Sequence, residues 1–308
     1  MFKIIGETAF DFLGKRKIAF LISGILSVLG IIGIVMIGIG KAEMGIDFAG
    51  GVMVQGSFAQ TVTIDQVRAA IGQEFSDASV TNIADASKPN TFIVKVKRPQ
   101  TEAEGKERLA RVQSIMQTAF PGNTFTVESE HLIGPAVGQT LRKDASYAII
   151  ISLLGILAYI AVRFDFRFGV AATIATFHDV LAVIGIFWVF GLEFDLLFVT
   201  ALLTLAGYSL TDTVVVFDRI RENFKKFRAK ADFIKSINSS INETLSRTLN
   251  TSMTVMLVVV VLYFFGGEVL RNFSLAMILG ILVGTYSSIF VASPILVEWE
   301  SASPRRTK

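Results

Sequence analysis

Asp212 is a carboxylate inside a stretch, residues 199–217, that is long and apolar enough to cross a bilayer. An ionised Asp in hydrocarbon costs roughly 2.5–3.5 kcal/mol on insertion scales, so such a residue is expected to face a partner or a water path. Thr200, Thr204 and Tyr208 precede it at four-residue intervals, a spacing expected to stack all four along one side of a helix. Gly207 and Ser209 lie in the same stretch, Gly207 where a helix can be approached closely or bend. A second apolar stretch begins just after Arg247, and Asn250, Thr251 and Thr254 continue a polar face from it. An Asp212–Arg247 pair at matching depth would relieve much of each charge's desolvation cost. Two readings stand side by side. Either Asp212 is a proton site whose protonation releases Arg247 and biases a helix rearrangement, or the two form a fixed structural ion pair.

His178 and Asp179 fall near the middle of another apolar stretch. Neighbours on a helix point about 100° apart, so the two are expected not to pair with each other. Asp179 could take part in a relay or serve as polar glue between helices, and His178 could support it. His131 is expected to be an ordinary residue. Soluble enzyme chemistry has no footing: there is no Walker A sequence, no dinucleotide-binding glycine pattern and no serine nucleophile elbow. The chain has no Cys and only 2 His, which excludes disulfides, thiolate metal sites and multi-histidine metal sites. No cofactor, bound metal or nucleic-acid partner is expected.

The elements that must position these residues are mostly membrane helices, as a composition 52% hydrophobic and 18% charged implies. After a cytoplasmic tail (1–17), residues 18–40 carry no charge and read as a signal-anchor span without the pattern of a cleaved leader. Residues 41–144 change character. A strand is expected over 47–58, a helix over 63–75 opened by Thr63 or Asp65, and strands over 78–84 and 91–96 about a turn at Lys88-Pro89-Asn90. A capping box at Thr101-Glu-Ala-Glu104 opens a second helix, and residues 124–133 form the last strand. The order βαββαβ is that of an α+β ferredoxin-like domain. A five-helix membrane domain follows (145–299), with spans at about 147–162, 168–192, 196–217, 248–265 and 273–297. Within it, residues 218–247 form a charged connection, and residues 300–308 form a tail. The run from 218 to 235 is expected to be a solvated helix near anionic lipid headgroups. In the last span Ala276, Gly280, Gly284, Ser288 and Ala292 recur every four residues, a row suited to close helix packing.

Lysine and arginine bias sets the orientation. With the N-terminus inside, the inner segments hold four, two, eight and three basic residues in chain order, while the two short outer loops hold only Arg271. Both termini are therefore expected in the cytoplasm, with domain 41–144 outside.

Several stretches together resemble the SecF family of the bacterial SecD–SecF protein-export complex, a relative of the resistance-nodulation-division transporters. They are Gly45-Ile-Asp-Phe-Ala-Gly-Gly51, Phe177-His-Asp-Val180, residues 199–223 with Gly-Tyr-Ser-Leu-Thr-Asp-Thr, Arg247-Thr-Leu-Asn-Thr-Ser-Met-Thr254 and Gly284-Thr-Tyr-Ser-Ser-Ile-Phe290. The resemblance implies a bacterial inner-membrane subunit that draws on the proton-motive force to finish translocation begun by a cytosolic motor. It implies a SecD partner, the SecYEG channel and exported preproteins, and places the family's intramembrane Asp on Asp212 and its Arg on Arg247. The rival expectations are half of a small-molecule or lipid exporter of the same superfamily, and a scaffold without transport.

Overall fold

The structure, a computed structural model, describes residues 8–85, 88–224 and 230–302. The basic residues expected to hold the C-terminal tail inside (Arg305, Arg306, Lys308), and Lys225, Lys226 and Arg228, fall outside the described residues. Six helical segments are long and apolar enough to cross a membrane. They are α1 (Arg16–Gly38), α5 (Pro135–Arg163), α6 (Phe166–Val189), α7 (Leu196–Phe224), α8 (Lys230–Phe265), and α9 (Gly267–Ser287) continued by α10 (Ser293–Ala302).

Between α1 and α5 lies a small sheet domain. A one-turn helix α2 (Ile46–Ala49) leads into β1 (Gly51–Phe58), followed by α3 (Ile64–Gly72), β2 (Ser79–Asp85), β3 (Lys88–Lys97), α4 (Glu102–Thr118) and β4 (Phe125–Ile133). All pairings are antiparallel and the strands lie in the order β2-β3-β1-β4. Val52, Val54, Phe92, Val94 and Val96 alternate inward onto Val67, Ile71, Val112 and Met116 of the two helices, burying one face of the sheet. Thr63, not Asp65, opens α3: its Oγ1 accepts from Gln66 N at 3.3 Å while Gln66 Oε1 accepts from Thr63 N at 2.9 Å. At Thr101 the box is half made. Its Oγ1 accepts from Glu104 N at 3.2 Å, but Glu104 turns to Gln100 N at 2.6 Å.

Two local expectations are corrected. The strand expected from Asp47 begins only at Gly51. Phe48 and Ala49 bond back to Gly45 O at 3.1 and 2.9 Å, and Gly50, at φ +72°, turns the chain into the sheet. The turn expected at 88–90 is already strand, because Lys88 pairs with Asp85. Residues 86 and 87 between them lie outside the described residues.

The membrane helices pack around α6 and α7. Helix α1 approaches α6 through glycines: a Cβ on Gly30 would sit 2.2 Å from Leu181 O, and one on Gly185 would sit 2.6 Å from Gly30 N. Without a hydrophobic force between helices in lipid, such backbone approach is what earns van der Waals contact. The small-residue row of the last span works the same way against α7. A Cβ on Gly280 would meet Leu205 Cδ1 at 2.6 Å, and one on Gly284 would meet Ser209 Cβ at 3.1 Å. The row is interrupted at its end by a π-helical turn over Ser288–Ala292 between α9 and α10, where Ser293 Oγ donates to Ser288 O at 2.9 Å.

In its described residues the charged connection is not a lone solvated helix. Helices α7 and α8 extend into it and pack together, burying Ile220, Ile237 and Ile241, with Asn223 Nδ2 donating to Ser240 Oγ at 2.9 Å. Apolar residues at helical spacing within the charged run give the two extensions matching faces. Asn238 and Asn242 of α8 tie down the chain before α1 through Phe10 and Phe12.

At the opposite end the sheet domain is joined to the helices. Met44 and Phe194 form an isolated parallel bridge, with Gly45 N donating to Phe194 O at 2.9 Å and Phe194 N to Glu43 O at 2.8 Å. Beside it Glu193, in the α6–α7 loop, takes Lys97 at 2.7 Å and Lys95 at 3.2 Å from β3. Burial pushes the Glu193 carboxyl up, but Lys95 and Lys97 together outweigh it and hold the group below its ordinary value.

Gly30→Ala is expected to destabilise the protein by about 1–3 kcal/mol through overpacking against Leu181. Gly24→Ala, with nothing within 4 Å of its Cβ, should leave stability unchanged or raised, since Gly costs a helix interior about 1 kcal/mol against Ala. Thermal unfolding midpoints in micelles separate the two. The Glu193 tie has a defined pH window. Its folded pKa is depressed, so its contribution is present above the ordinary Glu value and lost as pH falls through the folded one. The midpoint difference between wild type and Glu193→Gln should therefore be largest near neutrality and close as the pH drops below about 4.

Candidate functional site

Asp212 is buried between α7 and α8. Ser252 Oγ of α8 donates to its Oδ2 at 3.4 Å. Ser252 has one proton to give and two lone pairs to fill. Tyr208 OH donates to it at 3.3 Å, and Thr285 Oγ1 of α9 lies 2.8 Å away. A directional hydroxyl chain thus runs from Tyr208 and Thr285 through Ser252 to the carboxylate. Thr251 and Arg247 of α8 act on it electrostatically, the Thr251 hydroxyl itself donating to Arg247 O at 3.2 Å and Thr248 O at 2.8 Å. Among the described residues, however, Arg247 makes no ion pair with Asp212, and it is exposed. The carboxylate of Asp212 thus meets a hydroxyl donor in place of a bonded guanidinium.

The expected single stripe on α7 is also corrected. Thr200 and Thr204 are exposed, while Tyr208 is half-buried and Asp212 buried. Four-residue steps on a 3.6-residue helix drift by about 40° each, so the stripe winds from the outer face into the bundle. The Thr200, Thr204 and Thr211 hydroxyls donate to carbonyls one turn back, at 3.0, 2.8 and 3.0 Å. Gly207 between them has open space around its Cβ position, with no atom of the described residues within 4 Å.

Asp179 of α6 is the second intramembrane carboxylate and is completely buried. His178 Nδ1 lies 2.9 Å from its Oδ1, and Ser209 Oγ of α7 donates to its Oδ2. The expectation that adjacent helical residues do not pair fails here. The Cβ vectors diverge, but the imidazole is long enough to fold back across its neighbour's carboxylate. A carboxylate acceptor places a proton on Nδ1. Nε2 is buried and has no hydrogen-bond partner among the described residues. Ser287 of α9 lies beside the same carboxylate, its Oγ 3.5 Å from Ala175 O. His131 is exposed on β4, with Nε2 3.3 Å from Ser129 Oγ.

The structure thus places Asp212, Tyr208 and Thr251 in one group, and Asp179, His178 and Ser209 in another. Thr204 joins neither. Helix α7 links the two groups, because Ser209 and Asp212 are three residues apart on it. Ser252, Thr285 and Ser287 were not singled out by the sequence. The signal was weak: hydroxyls are common in membrane helices and usually bond their own backbone. No group of three or more acidic or histidine side chains suited to a metal occurs among the described residues.

Comparison with known proteins fits this geometry into a lineage. Residues 112–302 match the family described as protein export membrane protein SecD/SecF, C-terminal. The chain is 48% identical over 303 residues to the protein translocase subunit SecF of Thermodesulfovibrio yellowstonii, covering 96% of this chain and 97% of that one. It is 36% identical to the SecF of Pseudomonas aeruginosa, covering 93% and 90%. The crystal structure of SecDF, a translocon-associated membrane protein from Thermus thermophilus, superposes with a TM-score of 0.78 at 36% identity, over 96% of this chain. A structure of SecDF in a super-membrane-facing form gives a TM-score of 0.67 at 34% identity. This chain spans 39% of the first SecDF chain and 40% of the second, but nearly the full length of the SecF relatives. Six apolar helices, a small sheet domain after the first of them, and likeness over almost the whole chain place it in the SecD/SecF family of protein-export membrane proteins.

Proposed function

We propose that this chain is a multi-pass inner-membrane subunit of the Sec export machinery that uses the proton-motive force to promote late-stage translocation. It acts with SecD at the SecYEG channel on exported preproteins. Protons are the coupling ion, with no cofactor, and the chain is an accessory translocase subunit, not an enzyme. Both termini lie in the cytoplasm. The sheet domain, whose strand order is that of a ferredoxin-like unit, lies outside and passes motion to the exported chain.

One observation carries the proton reading. Asp212 is buried in a membrane-spanning helix, and a hydroxyl donor, Ser252, sits on its carboxylate instead of a bonded cation. A carboxylate held this way can change charge without breaking an ion pair, because each hydroxyl of the Tyr208–Ser252–Thr285 chain can rotate to donate or accept. Arg247 answers the change from a short distance: it is drawn toward the ionised group and let go when that group is protonated. One charge moving across 100 mV supplies about 2.3 kcal/mol, enough to tilt a two-state equilibrium noticeably.

A second membrane subunit is supported by the face that α7 leaves open. Thr200, Thr204, Gly207 and Thr211 are exposed along a membrane helix, next to exposed Thr251 and Thr254 of α8. Small and hydroxyl-bearing residues on a membrane face suit another helix better than lipid. SecD is the partner proposed, since the similar SecDF chains are more than twice the length of this one.

Asp212→Asn keeps shape and hydrogen bonding but cannot exchange a proton. In inner-membrane vesicles it is expected to assemble normally and to lose the stimulation of export by a proton gradient. Undiminished stimulation would leave Asp212 as structure and sink the proton role.

A further inference from the structure

The domain-facing end of α7 is fastened in a way the proton site does not require. Its first-turn N–H groups have no partners within the helix. Asp195, immediately before α7, caps Phe198 N through Oδ1 at 2.7 Å. The Leu196 N–H is taken by Asp47 Oδ2 at 3.0 Å, from the one-turn helix α2 that leads directly into β1. Asp195 Oδ2 accepts from Asn272 Nδ2 of α9 at 2.9 Å. Gly45 allows this approach, since a Cβ there would lie 2.8 Å from Asp195 Cβ. A cleft of about 290 Å³ opens beside these groups between the sheet and the helix ends. The sheet therefore meets α7 and α9 through a few directed polar contacts set beside an apolar cluster of Ile46, Met53 and Ile93.

We propose that Asp47, with Asp195 and Asn272, is the joint through which displacement of α7 reaches the sheet domain. Asp47 acts as a positioning residue, and the idea rests on the proton-driven reading of Asp212. Leu196, whose N–H Asp47 accepts, and Asp212 sit on the same rigid line, since α7 runs unbroken from Leu196 to Phe224. A helix shift that starts at Asp212 moves Leu196 with it, and the Asp47 bond makes α2 and β1 follow. The bond asks only for an acceptor oxygen. The joint thus predicts an unusual order of variants, in which neutral Asn serves as well as Asp and Ala does not.

The test is gradient-stimulated export in inner-membrane vesicles carrying the full complex, with Asp47→Ala, Asp47→Asn, Asn272→Ala and Asp212→Asn side by side. The joint predicts that Asp47→Ala loses the stimulation, Asp47→Asn retains it, and Asn272→Ala loses part of it. Asn272→Ala decides the matter should Asp47→Ala fail to accumulate in the membrane. Full stimulation in Asp47→Ala and Asn272→Ala, with loss in Asp212→Asn, overturns the joint and leaves the proton reading standing. Equal loss in Asp47→Asn and Asp47→Ala overturns the hydrogen-bond role. Retained stimulation in Asp212→Asn removes the proton reading and the joint falls with it.

Discussion

Two carboxylates lie inside a helix bundle that spans a membrane, and each must be satisfied without water. Removing a charge from water costs several kcal/mol even after relaxation, so the groups around Asp179 and Asp212 constrain everything near them. The bundle answers with hydroxyls and one imidazole. Ser209 of α7 and Ser252 of α8 reach the carboxylates, and Thr285 of α9 reaches Ser252, only because those helices pack closely. Gly280 and Gly284 let α9 ride against α7 at Leu205 and Ser209. The small-residue row and the buried acids are thus one device: the first brings the backbones together, and the second needs the donors that this closeness delivers.

The same helix that bears Asp212 meets every other part that matters. On one side it gives Ser209 to Asp179, on another it faces α8 and Arg247, and at its end it holds the sheet domain. The polar ties of α7, hydroxyls at its centre and directed contacts at its end, sit among the apolar packing of Leu202, Leu205, Leu210 and Phe217. Rotating hydroxyls exchange one set of bonds for another at little cost, whereas a buried ion pair would have to be broken outright.

Much of the architecture was legible in the sequence because it rests on periodicity. Long apolar runs, four of them free of charge, mark the six membrane helices, and alternation within residues 47–58 and 91–96 marks strands whose inward positions, Val52, Val54, Phe92, Val94 and Val96, form the core. Asp212 stood out because a carboxylate in an apolar run is costly wherever it points. What was not legible depends on tertiary contact. The short helix at Ile46–Ala49 is set by Gly45 and Gly50 within the junction, against a local pattern that reads as strand. The polar stripe on α7 winds, so four-residue spacing placed Thr204 beside Asp212 when only Tyr208 comes near it. His178 folds onto Asp179 because a side chain's reach matters as much as its Cβ direction. Ser252 and Thr285 look like any other hydroxyls of a membrane helix until α8 and α9 are set against α7. The charges of the α7–α8 extensions concealed the apolar faces that pack Ile220 on Ile237 and Ile241.

The central claim is that Asp212 exchanges a proton when the membrane is energised. Infrared difference spectroscopy of the complex in sealed vesicles, with and without an imposed proton gradient, reads that exchange at the carboxyl group itself. The account predicts a protonated-carboxyl C=O band that changes with the gradient and disappears from the difference spectrum of Asp212→Asn. A gradient-dependent spectrum identical in wild type and Asp212→Asn would contradict it.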